Sequence, residues 1–400
     1  MAAGTAEPQV HGEVEEGFGP VADAFAENFR TGLETGASCA AYVDGREVVH
    51  LWSGTSDPAT GRPWDASTAA MVYSTTKGVA AICVNLLVQR GLVDLDRPVA
   101  AYWPEFGAAG KENLPVRMLL SHQAGLPLVD APVTFDDVID GRPVVAALAA
   151  QAPVWVPGTE HGYHAVTYGW LVGELVLRVT GRSLGEFFAA EVARPLGLDF
   201  WIGLPDSELD RVAREVPSPP PTPGPPTPEQ LQIAAAFGDP ASVSSRAMFL
   251  NGALAPKPQP PTPAELRRLY RSEVAAINGI GTARALARLY AACVSEVDGV
   301  RLLSDETVDR ARQAEADGPD RVLFVRTRYG LGFWLPTQWS TQLGPASFGH
   351  PGAGGSIGFG DAAARVGFGY VPNQLSMNGM GGDPRKERLI DALRRSLDRV

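Results

Sequence analysis

Tyr73-Ser74-Thr75-Thr76-Lys77-Gly78-Val79-Ala80-Ala81-Ile82-Cys83-Val84 is the stretch on which the reading turns. A serine, and three residues later a lysine, stand just ahead of an apolar run that reads as a helix from about Ser74 to Arg90, stopped by Gly91. On a helix, positions i and i+3 share a face, so the amine lies beside the hydroxyl. The serine occupies the first turn, where the helix dipole is positive. A lysine held in a desolvated place beside a serine loses proton affinity and can act as its base. Ser-x-x-Lys is a weak pattern in general, but lysine is rare in this chain: Lys77, Lys111, Lys257 and Lys386 stand against 30 arginines. With 20 serines among 400 residues, chance supplies about 0.2 matches. The plainer alternative is a surface lysine near an N-cap serine.

Working outward, Tyr163 in Gly162-Tyr163-His164-Ala165 precedes a second helical pattern, Trp170 to Thr180, with Leu171, Leu175 and Val179 at spacing four and Gly181 as cap. A tyrosine near a lysine ammonium ionises more easily and can take a serine proton; equally, most tyrosines are core or pocket wall. Gly349-His350-Pro351-Gly352-Ala353-Gly354-Gly355 lies between expected strands. A free N–H there can serve an oxyanion hole, or the segment is simply a tight turn. Gly354-Gly355-Ser356-Ile357-Gly358 matches the nucleophile elbow of α/β-hydrolases, but that fold needs a histidine after the serine and none of the six follows Ser356. His161 and His164 beside Glu160 lack a metal-binding frame, His122 reads as a loop brace, and Gly279-Ile280-Gly281 is no nucleotide fingerprint. Asn278 and Trp334 read equally as pocket lining or as structure.

The rest of the chain bounds the fold. Apolar residues are 45% and charged residues 20%, a globular composition, and a net charge of −11 makes nucleic acid and anionic membrane poor partners. Three cysteines, Cys39, Cys83 and Cys293, make no disulfide framework and read as buried thiols. The N-terminus has no basic region followed by an apolar one, so a cytoplasmic protein is expected, and the apolar run at Val79 to Val88 is too short for a bilayer. Ala40 to Val43 and Glu47 to Trp52 flank Asp44-Gly45-Arg46 as a hairpin. Tyr329 to Leu335, Ser347 to His350, Ser356 to Asp361 and Val366 to Val371 read as an antiparallel meander, and Asp383-Pro384 opens a last helix with Leu389, Ile390, Leu393 and Leu397 on one face. Eight prolines in Pro217 to Pro228 and five in Pro256 to Pro263 mark surface excursions, either solvated insertions or a flap at a pocket. The expectation is an α/β (α+β) fold: an antiparallel sheet flanked by helices and built from both termini (15–75 plus 285–400), with a mostly helical insertion (76–284) and the active site between them.

Taken together, the motifs resemble the serine β-lactamase and penicillin-binding-protein superfamily, closest to the class C-like family VIII carboxylesterases. Ser74-Thr75-Thr76-Lys77 matches its Ser-x-x-Lys, and Leu119-Leu120-Ser121-His122-Gln123-Ala124-Gly125-Leu126 resembles its Leu-Leu-Ser/Thr-His-Thr-Ser-Gly-Leu loop. Tyr163-His164-Ala165 fits Tyr-x-Asn, and His350-Pro351-Gly352 holds the place of Lys-Thr-Gly. The resemblance implies Ser74 as acylated nucleophile, Lys77 and Tyr163 sharing the base work, and the N–H groups of Ser74 and Ala353 as oxyanion hole, with no metal or organic cofactor. His350, Gly352, His164 and Asn278 are candidates for contact with substrate. Two departures matter: Ala165 replaces the asparagine, and His350 replaces a lysine that holds a substrate carboxylate in β-lactamases and D,D-peptidases. Histidine is mostly neutral at pH 7. Hydrolysis of small uncharged esters is therefore expected ahead of acyl transfer to an alcohol or amine, of β-lactam or peptidoglycan chemistry, and of a non-catalytic binding role.

Overall fold

The structure is a computed structural model that describes residues 8–218, 228–254, 261–376 and 382–399. Its main sheet is antiparallel. It takes β1 (His11–Val14), β2 (Gly36–Val43) and β3 (Arg46–Asp57) from the start of the chain, and β4 (Ser347–Pro351), β5 (Ile357–Asp361) and β6 (Val366–Pro372) from its end, in the order β1-β3-β2-β6-β5-β4. The two halves of the sequence meet where β2 pairs with β6, Cys39 opposite Tyr370. The expected hairpin is present, and Asp44 and Gly45 both have positive φ, at 49° and 79°, the conformation that a two-residue turn between twisted strands requires.

Both faces of the sheet are covered, so the strands alternate between two cores rather than between core and water. Cys39 and Ala41 join Phe359 and Phe368 under α1 (Gly19–Arg30) and the C-terminal helix α5 (Pro384–Leu397), while Ala40 and Tyr42 face the other way. On that second face lies α4 (Ala283–Val294). The glycines of Val366-Gly367-Phe368-Gly369 let it sit directly on the strand: a Cβ at Gly367 would lie 2.2 Å from the Ala287 carbonyl, and one at Gly369 equally close to that of Ala283.

The helix that carries Ser74 and Lys77, α2 (Thr75–Gln89), is buried on every side from Thr75 to Leu87, as its nearly uniform apolar sequence requires. Against it packs α3 (Thr167–Thr180), ended by Gly181 with φ 71°. Between residues 99 and 271 the chain is chiefly short helices and loops. Cys39, Cys83 and Cys293 are free and buried. No helix among the described residues is long and apolar enough to cross a membrane.

Two expectations need correction. The strand expected over Tyr329 to Leu335 stops at Tyr329, because the chain turns through Gly330-Leu331-Gly332 so that the Trp334 N–H can reach the Gly349 carbonyl at 2.8 Å. The last proline of each Pro-rich run opens a helix: Pro228 begins Pro228–Gly238 and Pro263 begins Pro263–Arg271, at the first helical position, where proline's missing N–H costs nothing. Residues 219–227 and 255–260, on which the flap reading falls, lie outside the described residues.

Candidate active site

Ser74 sits immediately before α2, and the residue ahead of it, Tyr73, has φ 47°, a conformation that β-carbon sterics disfavour. The two residues between serine and lysine are struts. Thr75 Oγ1 lies 3.1 Å from Ser356 Oγ, and Thr76 Oγ1 donates to the Tyr73 carbonyl at 2.5 Å while accepting the Gly279 N–H at 2.9 Å. The first turn is thereby tied to the C-terminal half of the chain on two sides.

The Lys77 amine is 3.2 Å from Ser74 Oγ, as the spacing predicts. It also donates to the carbonyls of Ala165 at 2.6 Å and Ala276 at 2.9 Å. Among the described residues no carboxylate pairs with it, and burial pulls its proton affinity well below the usual lysine range. A neutral amine has two N–H groups and one lone pair. The two carbonyls take the N–H groups, which leaves the lone pair for the Ser74 hydroxyl. Ala165 thus contributes a backbone carbonyl at the place where the family carries an asparagine.

Tyr163 does come alongside: Lys77 Nζ lies 4.7 Å from the centre of its ring, and the Ser74 hydroxyl is near enough to offset part of the burial that raises the phenol's proton affinity. The backbone of Tyr163 is fixed by Asp320, a buried carboxylate that accepts the N–H groups of Tyr163 (3.0 Å), Val322 (2.8 Å) and Leu323 (2.9 Å). Asp320 was not among the residues that the sequence singled out. Burial pushes the Tyr163 phenol above the ordinary tyrosine value, so the resting group is a protonated phenol, not the readily ionised one the sequence suggests.

His350 is buried, stacked on Tyr163 with ring centres 5.9 Å apart and meeting Trp334 edge-on at 5.7 Å. Its Nδ1 is 2.7 Å from the Pro351 carbonyl and must carry the proton of the neutral ring. Burial, and then the neighbouring Lys77, lower its pKa to about 3, so position 350 holds no cation near neutral pH. Gly352 acts by its smallness: a Cβ there would lie 2.2 Å from both the Val72 carbonyl and Ser356 Oγ. That contact brings the end of β4 against the start of α2. Among the described residues neither the Ser74 nor the Ala353 N–H donates to a protein acceptor. Substituting Gly352 by alanine is expected to lower stability by about 1–3 kcal/mol through overpacking, read as a drop in thermal midpoint; an unchanged midpoint would show the junction to be slack.

The remaining candidates are braces. His164 accepts the Leu126 N–H on Nε2 and holds the Gly162 carbonyl through Nδ1, so neither ring nitrogen is free for substrate or metal. Asn278 spends its amide on the carbonyls of Leu269 (2.8 Å) and Ser272 (2.6 Å). His122 braces its loop as expected, accepting the His164 N–H at 3.1 Å. Ser356 donates to the Val72 carbonyl at 2.8 Å within a buried strand start, which disposes of the elbow reading. A 640 Å³ cavity lined by Trp155, His161, Asp320 and Phe324 touches none of Ser74, Lys77 and Tyr163, so chemistry rather than cavity size marks the site.

The sheet built from both termini, with a partly exposed serine beside a buried lysine at its edge, defines an active-site-serine fold. The beta-lactamase family profile matches residues 25–392, and the chain belongs to that family. It is 38% identical over 373 residues to the esterase/beta-lactamase LipL of Mycobacterium tuberculosis, covering 92% of this chain and 83% of that one. Among solved structures it is similar to a family VIII carboxylesterase (39% identity, TM-score 0.84, 97% of this chain and all of that one). It is also similar to a penicillin-binding protein homologue from Caulobacter crescentus (37%, TM-score 0.83, 97% and 100%).

Proposed function

We propose that the protein is a serine carboxylesterase that hydrolyses small uncharged esters through an acyl group on Ser74. The observation that carries the reading is the unpaired Lys77 amine 3.2 Å from Ser74 Oγ, with both its N–H groups spent on carbonyls. Ser74 Oγ attacks the ester carbonyl carbon, its proton passes to Lys77, and the carbonyl oxygen gathers negative charge toward the N–H groups of Ser74 and Ala353. The protonated phenol of Tyr163, beside both groups, passes a proton to the departing alkoxide, which leaves as the alcohol, and Tyr163 then recovers a proton from Lys77. Water then attacks the acyl group by the same steps in reverse. An alcohol or amine in place of water would make the reaction acyl transfer with the same residues.

The relatives at 38% and 39% identity, one named an esterase/beta-lactamase and the other a family VIII carboxylesterase, support ester hydrolysis. The neutral His350 supports an uncharged substrate, since a β-lactam carboxylate would find no fixed cation at that position. The test is a substrate panel. A short-chain p-nitrophenyl ester should give a kcat/KM about 10²-fold above that for an anionic cephalosporin, the scale of one lost charged hydrogen bond. Equal or reversed values would overturn the preference, and no ester turnover at all would overturn the function.

A further inference from the structure

Arg385 lies in the first turn of α5, at the far side of the sheet from Lys77, and is 2% exposed. All five guanidinium N–H groups have acceptors. Nε donates to Asp383 Oδ1 at 3.0 Å and Nη2 to Asp383 Oδ2 at 2.7 Å; Nη1 reaches the Gln374 carbonyl at 2.7 Å and Glu34 at 3.3 Å. Nη1 also reaches the Leu33 carbonyl at 3.4 Å, and the second Nη2 bond runs to the Gly354 carbonyl at 2.7 Å.

That carbonyl belongs to the peptide unit whose other end is the Gly355 N–H, and the Gly355 N–H donates to the Gly352 carbonyl at 3.2 Å. The Gly352 carbonyl in turn shares its peptide unit with the Ala353 N–H. A planar peptide fixes the N–H once its carbonyl is fixed. Two peptide units therefore connect a buried positive charge to the oxyanion donor in series, each polarising the next. The geometry allows nothing bulkier: Gly354 and Gly355 have φ 81° and 114°, and a Cβ at Gly355 would lie 2.3 Å from Arg385 Nη2.

We infer that Arg385, held by Asp383 and Glu34, is a positioning residue for the oxyanion hole: it orients and polarises the Ala353 N–H through the 354–355 and 352–353 peptides. The inference rests on the serine esterase reading above. A lysine cannot reproduce the fork, because it offers one point charge where the site uses a planar set of donors.

The experiment compares Arg385→Lys with wild type on an oxygen ester and on the thionoester of the same acyl group. An N–H placed for an oxyanion discriminates against sulfur, so the variant should lose kcat on the oxygen ester by about 10²-fold, the scale of one oxyanion donor. KM should change little and the oxygen-to-sulfur rate ratio should collapse. Loss of folded protein alone would lower both substrates together and leave the ratio intact, which would overturn the inference, as would an unchanged kcat. If Arg385→Lys does not fold, Asp383→Asn decides by the same ratio, because asparagine keeps the helix cap while releasing one side of the fork. Wild-type protein without ester turnover would instead refute the esterase reading, a result that the variants cannot mimic.

Discussion

Ser74→Ala loses ester hydrolysis by about 10⁴-fold or more, down to the rate at which the remaining site orients water, while its thermal midpoint stays within a degree or two of wild type. The catalytic half of this expectation follows from the position of the hydroxyl: Lys77 and Tyr163 both address it, and nothing else on the first turn of α2 is placed to be acylated. Thr75 and Thr76 spend their hydroxyls on Ser356, Tyr73 and Gly279, and Ser356 spends its own on Val72. The stability half follows from what Ser74 does not do. Its side chain makes no capping bond to α2, so alanine leaves the helix start intact and removes only the part-exposed contact with Lys77. Initial rates on a p-nitrophenyl ester, a melting curve, and the intact mass of protein quenched during turnover check all three parts. An acyl adduct on Ser74 in wild type, absent from the variant, is the expected pattern; an adduct mapped to Ser356, or undiminished turnover, would remove the basis of the proposed function.

How far the sequence reaches can be judged from individual residues. The Ser74–Lys77 contact was legible because it is local: three residues of helix fix it, whatever the rest of the chain does. The hairpin at Asp44-Gly45 and the stop at Gly181 were legible for the same reason, being demands of backbone conformation at single positions. Tyr163 was placed beside them only through the family resemblance, since its approach depends on Asp320, more than a hundred residues away, holding its N–H. Asp317 and Asp320 stand three residues apart, and nothing local distinguishes the second aspartate as the buried one. Likewise the alternating glycines of β5 and β6 read as weak strands; their purpose, to seat an alanine-lined helix on the sheet, appears only when α4 is present. Arg385 is the extreme case. A basic residue in the first turn of an amphipathic helix signals water, and its burial requires Glu34 to arrive from another part of the fold and join Asp383, the N-cap two residues before it. His164 and Asn278 show the opposite case: polar residues next to the motifs suggest substrate contact, but both His164 ring nitrogens and the Asn278 amide nitrogen are taken up by backbone groups of the surrounding loops.

Removing the amine tests the other half of the pair. Lys77→Met keeps most of the stem's volume and abolishes the lone pair that faces Ser74, so kcat/KM should fall by about 10²–10⁴-fold, the range for a lost general base. The pH dependence separates this from a packing effect. The active form of Lys77 is the neutral amine, so wild-type kcat/KM rises with pH as the amine loses its proton and levels off above its pKa. Since burial holds that pKa well below the usual lysine range, the plateau should begin well short of the free value of about 10.4. His350, lowered to about 3, adds no inflection between pH 5 and 8. In Lys77→Met the rising limb should vanish along with the rate. The substitution also strips the Ala165 and Ala276 carbonyls of their donor in a buried place, at about 1–3 kcal/mol for each group left unsatisfied, so the variant should melt earlier than wild type while remaining folded at 25 °C. A variant that keeps the limb, or loses stability without losing the pH dependence, would show that the lysine is a strut and that the base is elsewhere.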